Sequence, residues 1–112
     1  MAKYKIEWSI EARSDLLDIL EFYYQRNGNA NYSRKLNSKI NKSIKLITRN
    51  PFLGKQTDIS SVRAVVTGDY QIIYEVLEQT LLIAMVWDCR RNPENKTITF
   101  RKTKQITDTG KS

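Results

Sequence analysis

The sequence predicts an α+β domain: an N-terminal strand, a helical hairpin, then a three-stranded antiparallel meander, with both helices packed on one face of a curved sheet. Three observations carry that expectation. Apolar residues recur at helical spacing in two stretches between residues 10 and 49, and Asn27-Gly28-Asn29 separates the stretches. Residues 61–89 hold three strand-like runs divided by short polar turns, and short turns imply antiparallel neighbours. The last of these runs, Leu81 to Trp87, is seven consecutive apolar residues, too short to cross a membrane and suited to a strand covered on both sides.

Tyr4 to Trp8 reads as the first strand, because Tyr4, Ile6 and Trp8 alternate with Lys5 and Glu7. It is free to pair with any exposed edge. Ser9 is placed to cap the helix that follows, and Glu11 sits in its first turn, where negative charge is favoured. That helix is expected from about Ile10 to Gln25. Ala12, Leu16, Leu20 and Tyr23 form its apolar stripe, widened by Leu17, Ile19 and Tyr24. Gly28 suits the left-handed turn past its C-terminus, and Asn29 suits the cap of a second helix from about Ala30 to Arg49. Leu36, Ile40, Ile44 and Ile47 make one face of the second helix; Lys35, Lys39, Lys42, Lys45 and Arg49 make another. Asn50-Pro51 stops it, since the residue before a proline leaves the helical region.

Phe52 to Lys55 reads as a turn with two apolar anchors, and Thr57 to Ser61 as a polar connector. Ser61 to Val66, Tyr70 to Val76 and Leu81 to Cys89 are the three strands. Thr67-Gly68-Asp69 and Leu77 to Thr80 are the turns between them. Thr97 to Arg101 is open to being a further short strand. Residues 1–100 are expected as one domain and 101–112 as a polar, flexible tail.

The chain has 112 residues, enough for one domain with a small core that leans on a partner for stability. It has one cysteine and no histidine, which excludes a disulfide framework and argues against zinc. No cofactor or metal is expected. No signal peptide or membrane segment is visible, so a cytoplasmic location is the default. Nineteen Lys and Arg against twelve Asp and Glu give +7, a balance that favours a polyanionic partner, nucleic acid or acidic protein, or is simply a basic surface.

The candidate residues cluster on the strands. Arg63 lies between Val62 and Ala64; if those face the helices, Arg63 points to the open face, where its rigid fork suits phosphate. Its bland reading is an ion pair with Glu75 or Glu78. Tyr70 and Tyr74 share one face of their strand, each able to stack on a base, offer a hydroxyl or simply line the core edge. Trp87 has the same ambiguity. A site is expected where the last strand ends, at Asp88-Cys89-Arg90-Arg91. The two arginines there suit a backbone phosphate, or one pairs with Asp88 or Glu94. Lys39 and Lys42 belong to a generic basic stripe. With no histidine, any acid or base role falls to Tyr, Lys, Asp or Glu.

Several pieces in order resemble the RelE/ParE superfamily, the toxins of bacterial type II toxin–antitoxin modules. They are Trp8-Ser9 followed by Ala12, Asp15-Leu16, Ile19 and Tyr23; Asn50-Pro51 with Leu53-Gly54; Val62-Arg63; Gly68-Asp69-Tyr70 with Ile72-Ile73-Tyr74; and Val86 to Pro93. The resemblance implies a small α+β toxin neutralised by a cognate acidic antitoxin. It implies one of two targets: mRNA on the ribosome, cut without metal, or DNA gyrase, poisoned without enzymatic chemistry. For the first activity the resemblance places Arg63 where ribonuclease members carry a strand arginine that contacts the scissile phosphate, although many ParE-like members also have an arginine near here. Taken with the residues' own charge and position, the candidate catalytic residues are Arg63, Tyr74 and Arg90, and Lys39, Lys42, Tyr70, Trp87 and Arg91 are candidate contacts to nucleic acid or target. Where several ribonuclease members of the superfamily place a histidine or tyrosine as acid or base, at the end of the last strand, this chain reads Trp87-Asp88-Cys89-Arg90-Arg91. A catalytically inactive homologue, kept as an antitoxin-binding regulator, is the alternative.

Overall fold

Ser9 joins the first strand to the first helix and ties both to the sheet. In the computed structural model, which describes residues 4–90, its backbone N–H donates to Ile83 O at 2.9 Å. Its Oγ accepts from Ala12 N at 2.9 Å as the helix cap and donates to Ala84 O at 3.1 Å. β1 (Lys5–Trp8) therefore ends, and α1 (Ile10–Asn27) begins, at a fixed point on a strand more than seventy residues away. α1 closes at Gly28, whose φ of 74° is the left-handed value and whose N–H donates to Tyr24 O. Asn29 Oδ1 then accepts from Asn31 N at 3.0 Å, and α2 (Asn31–Arg49) starts one residue later than expected.

The remaining elements are β2 (Lys55–Gln56), β3 (Val62–Thr67), β4 (Tyr70–Val76) and β5 (Thr80–Asp88), in a five-stranded sheet of order β1-β5-β4-β3-β2. β2 is a finding the sequence did not give. Two residues carry no alternation, and only the hairpin around Thr57, which bonds to Val62 O through both N and Oγ1, sets Lys55 opposite Ala64. β1 pairs with β5 in parallel, Lys5 opposite Thr80 and Trp8 opposite Ile83. The helical hairpin and the β3–β4 ribbon supply the long connection that a parallel neighbour requires. The other pairs are antiparallel.

Register assigns the faces. Arg63, Val65 and Thr67 stand opposite Tyr74, Ile72 and Tyr70, and this face meets the helices. The main core lies there: Ala12 and Tyr23 of α1, Leu36, Ile40, Ile44 and Ile47 of α2, and Tyr70, Ile72, Tyr74, Leu81, Ile83 and Val86 of the sheet. The α2 stripe is buried as expected. On α1, Leu16, Ile19 and Leu20 are partly buried, but Leu17 and Tyr24 are 60% and 48% exposed. At seven-residue spacing they form, with Ile10, a separate line about a third of a turn from the buried stripe.

Val62, Ala64 and Val66 face the other way, away from the helices. The face assignment assumed for Arg63 is thus reversed: its side chain lies on the helix side. The reason is register. Ala64 stands opposite Ile73 and Ile73 opposite Met85, and these three share a second, smaller cluster with Val62 and Trp87.

β5 carries a bulge: Ile73 faces Met85, Tyr74 faces Ile83, and Ala84 is the extra residue. Beyond Ile83 the neighbour β1 has ended, and α1 covers the uncovered edge. Ser9 bonds Ala84 O, and Asp15 Oδ2 accepts from Val86 N at 3.1 Å. Such side-chain bonds blunt a strand edge that would otherwise invite pairing. Among the described residues no helix is long and apolar enough to cross a membrane. Arg91, the optional strand at Thr97 to Arg101 and the expected tail lie outside the described residues.

Candidate functional site

Four elements bring charged and phenolic groups together at the end of β5, where a site was expected. Arg90, two residues past the strand, donates from Nε to Asp88 Oδ1 and from Nη2 to Asp88 Oδ2, each at 2.9 Å. This is the fork-to-carboxylate geometry that fixes a guanidinium's direction. Nη2 also donates to Tyr23 OH at 3.1 Å and to Tyr70 OH at 3.2 Å, and Asp69 lies 3.8 Å from Nη1. Asp88 raises the Arg90 guanidinium's already high pKa, so it is a permanent cation.

The two phenols behave as a pair. Tyr70 OH donates to Tyr23 OH at 3.2 Å. Tyr23 accepts that bond and one from Arg90, and both hold its pKa below the ordinary phenol value. Tyr70 is pushed the other way, by burial first and by the bond to Tyr23 second. Tyr23 stands in the sequence as part of the α1 core stripe and of the family-like pattern after Trp8-Ser9, with no site role. Nothing in its local sequence signals a site, because the partners come from β4 and from the segment after β5. Tyr32 at the start of α2 packs on it, ring centroids 4.6 Å apart.

Next to this cluster, a cleft of about 480 Å³ opens between α2 and the β3–β4 turn. Tyr32, Lys35, Lys39 and Lys42 line its helix side; Asp69 and Tyr70 line the turn side. The sequence's Lys39, Lys42, Tyr70 and Arg90 therefore meet in one region. The lysines follow one another along α2 at spacings of four and three, as one face of a helix demands.

The other candidates lie elsewhere. Arg63 donates from Nη1 to Gly54 O at 2.8 Å, and its guanidinium sits 4.9 Å from the Phe52 ring centroid. Glu75 instead accepts from Ser61 Oγ at 2.9 Å. Tyr74 is fully buried; its hydroxyl donates to Pro51 O at 2.7 Å and accepts from Gly54 N at 2.9 Å. Burial raises its pKa. Arg63 and Tyr74 thus stand together, opposite one another on β3 and β4, and hold the 51–54 loop against the sheet. Trp87 is on the second face with Met85. Cys89 is exposed. Among the described residues no group of three or more His, Cys, Asp or Glu stands where it would hold a metal.

A helical hairpin laid on one face of a small, mostly antiparallel sheet is a fold this chain shares with solved proteins of toxin–antitoxin modules. Solved structures of the same fold include the chromosomal ParDE system of Pseudomonas aeruginosa, with a TM-score of 0.64, 17% identity and 77% of this chain aligned to 96% of that one. The RelBE2 toxin–antitoxin complex of Mycobacterium tuberculosis matches with a TM-score of 0.57, 18% identity and 78% and 99% of the two chains. The YoeB dimer of Staphylococcus aureus matches with 0.55, 22% identity and 77% and 97%. No curated protein sequence matches the chain significantly. The model of the ParE toxin family of type II toxin–antitoxin systems matches residues 6–93. This chain belongs to that family, within the RelE/ParE superfamily, and membership implies a cognate antitoxin as its partner.

Proposed function

We propose that this chain is a growth-arresting toxin that acts in the cytoplasm on DNA gyrase, and that an acidic antitoxin holds it inactive. One observation carries the choice of gyrase over message cleavage. Arg63 and Tyr74, the pair with the best claim to phosphoryl-transfer chemistry, are both engaged by the 51–54 loop, one on Gly54 O and the other on Pro51 O and Gly54 N. A cleavage site needs a base, an acid and positive charge free to meet the phosphate. A buried hydroxyl with both hydrogen-bonding roles filled is poorly placed for any of these. The basic α2 face and its cleft suit an acidic segment that orders as it binds.

One feature favours the ribonuclease reading: the lowered pKa of Tyr23, bonded to Arg90 and adjoining the lysine-lined cleft. Induction without antitoxin, with DNA and protein synthesis pulse-labelled in parallel, separates the readings. On the gyrase reading DNA synthesis falls first, a DNA-damage response follows and messages stay intact. Cleavage of messages within codons, relieved by Arg63→Ala or Tyr23→Phe, would overturn it. Unchanged growth with soluble toxin accumulating would leave the inactive, antitoxin-binding homologue. Lys39→Glu with Lys42→Glu is expected to weaken antitoxin binding at least about tenfold at low salt and less at high salt, since exposed charges are screened.

A further inference from the structure

The outer face of α1 is matched end to end about Leu17. Ile10, Leu17 and Tyr24 stand at seven-residue intervals and are 86%, 60% and 48% exposed, although each is large and apolar. Ile10 and Tyr24 lie equally far from Leu17, about 10 Å in either direction, and the line drifts only about 40° around the helix between them. Ala12 and Tyr23, which meet the core, point about a third of a turn away. Arg13 and Glu21, both exposed, form the next matched pair, four residues to either side of Leu17 and about 40° to opposite flanks of the line. Glu11, Asp15 and Asp18 lie about 100° or more from it.

A seven-residue apolar spacing keeps a seam in line between two packed helices. The end-to-end match suits one particular neighbour, the same helix running the other way. A two-fold axis through Leu17 sets Leu17 against the partner's Leu17 and Ile10 against the partner's Tyr24. It also brings Arg13 within reach of the partner's Glu21, once on each side of the axis, so the interface is self-complementary. Like charges stay apart: the two Arg13 side chains, and the two Glu21 side chains, are rooted about 12 Å from one another along the helices. Glu21 accepts from Gln25 Nε2 at 2.7 Å, and its carboxylate has further lone pairs for a guanidinium. Charge argues against other occupants. α1 carries four acidic and two basic residues, whereas α2 carries six basic and no acidic ones. An acidic antitoxin is therefore drawn to α2 and not to this line. Docking of α1 on the α2 of another copy would be head to tail and would grow into open chains.

We propose that the chain, free of antitoxin, forms a two-fold dimer through α1, with the two helices antiparallel and crossing at Leu17. The contact is narrow, about one helix diameter of 10 Å over about 21 Å of length, so the dimer is reversible and not a permanent assembly. The lysines of α2 take no part in the seam.

Sedimentation equilibrium of the full-length chain without antitoxin, from about 5 to about 500 μM, should show a monomer–dimer equilibrium. Leu17→Glu sets two carboxylates against each other at the axis and should weaken dimerisation at least about tenfold, with Tm nearly unchanged because Leu17 is 60% exposed. Arg13→Glu and Glu21→Arg should each weaken it about threefold, and the two together should restore it. Cys89 is exposed, so cross-linking is read on a Cys89→Ser background. With a short thiol cross-linker, Leu17→Cys should couple to its own copy. Ile10→Cys and Tyr24→Cys should couple to each other in a mixture and poorly alone. Should Leu17→Glu fail to fold, the sedimentation of the unaltered chain and the cross-links decide. Three results overturn the proposal. One is a chain that stays monomeric up to about 500 μM. Another is association lost in Lys39→Glu with Lys42→Glu but kept in Leu17→Glu, which assigns the contact to α2. The third is equal self-coupling by all three cysteine variants, which makes the helices parallel. None of these bears on whether gyrase is the target.

Discussion

Replacing Tyr74 by phenylalanine removes one oxygen atom from the centre of the fold and leaves the ring in place. That oxygen serves Pro51 O at 2.7 Å and Gly54 N at 2.9 Å, and the residue is 0% exposed. Pro51 and Gly54 are themselves buried, so water does not readily replace the lost partner. Each buried group left unsatisfied costs about 1–3 kcal/mol. The 51–54 loop relaxes to recover part of this, because Arg63 still anchors Gly54 O. A net loss of about 2–3 kcal/mol follows, or a Tm lower by about 10 °C for a domain of this size. Urea and thermal unfolding read the total, and amide exchange at Gly54 reads the local part. The Gly54 amide should lose protection more than amides in the middle of β4. A Tyr74→Phe protein within about 0.5 kcal/mol of the parent, with Gly54 still protected, would falsify the claim that this hydroxyl holds the loop.

Further outcomes follow from the same contacts. Gly54→Ala places a Cβ 2.6 Å from Tyr74 Oη and 2.9 Å from Ala64 O, too close for any real packing, so solubility and Tm should both drop sharply; Tyr74→Phe should rescue this only in part, since the Ala64 carbonyl remains. Arg90→Gln removes a donor to Tyr23, so the Tyr23 phenol should titrate at higher pH in a spectrophotometric titration, with little change in Tm because Arg90 is exposed. Tyr70 and Tyr74 both have raised pKa values, so the folded state keeps protons that the unfolded chain gives up near pH 10. Stability from these two groups is full below about pH 10 and declines as pH rises above it, with Tyr23 opposing; a urea midpoint that rose between pH 9 and 11 would contradict this.

Much of this fold was legible because its signals are local. The α2 stripe of Leu36, Ile40, Ile44 and Ile47, the Ser9 cap, the Gly28 turn and the β4 alternation each need only neighbouring residues and a period. The candidate site was legible in its parts only as a set of residues. Lys39, Lys42, Tyr70 and Arg90 were named from charge and position, and the structure brings them to one region. Tyr23, which bonds to both Tyr70 and Arg90, was not. Its role depends on residues 47 and 67 positions away, and no local pattern encodes such a distance.

The sequence by itself determined the class, the order of the described elements except β2, the basic charge and, through motifs such as Asn50-Pro51 with Leu53-Gly54 and Gly68-Asp69-Tyr70, the likeness to the toxin family. Tertiary structure decided which way the sheet faces. Alternation says that Arg63 opposes Val62 and Ala64, but not which of the two sets meets the helices. Pairing with β4, whose Tyr70, Ile72 and Tyr74 lie under the helices, settles that and turns Arg63 toward Gly54. It also decided the parallel β1–β5 pair and the Ala84 bulge, beyond which Ser9 and Asp15 close the edge of β5. Both depend on where one edge ends and another begins, a property of the assembled sheet and of no segment alone.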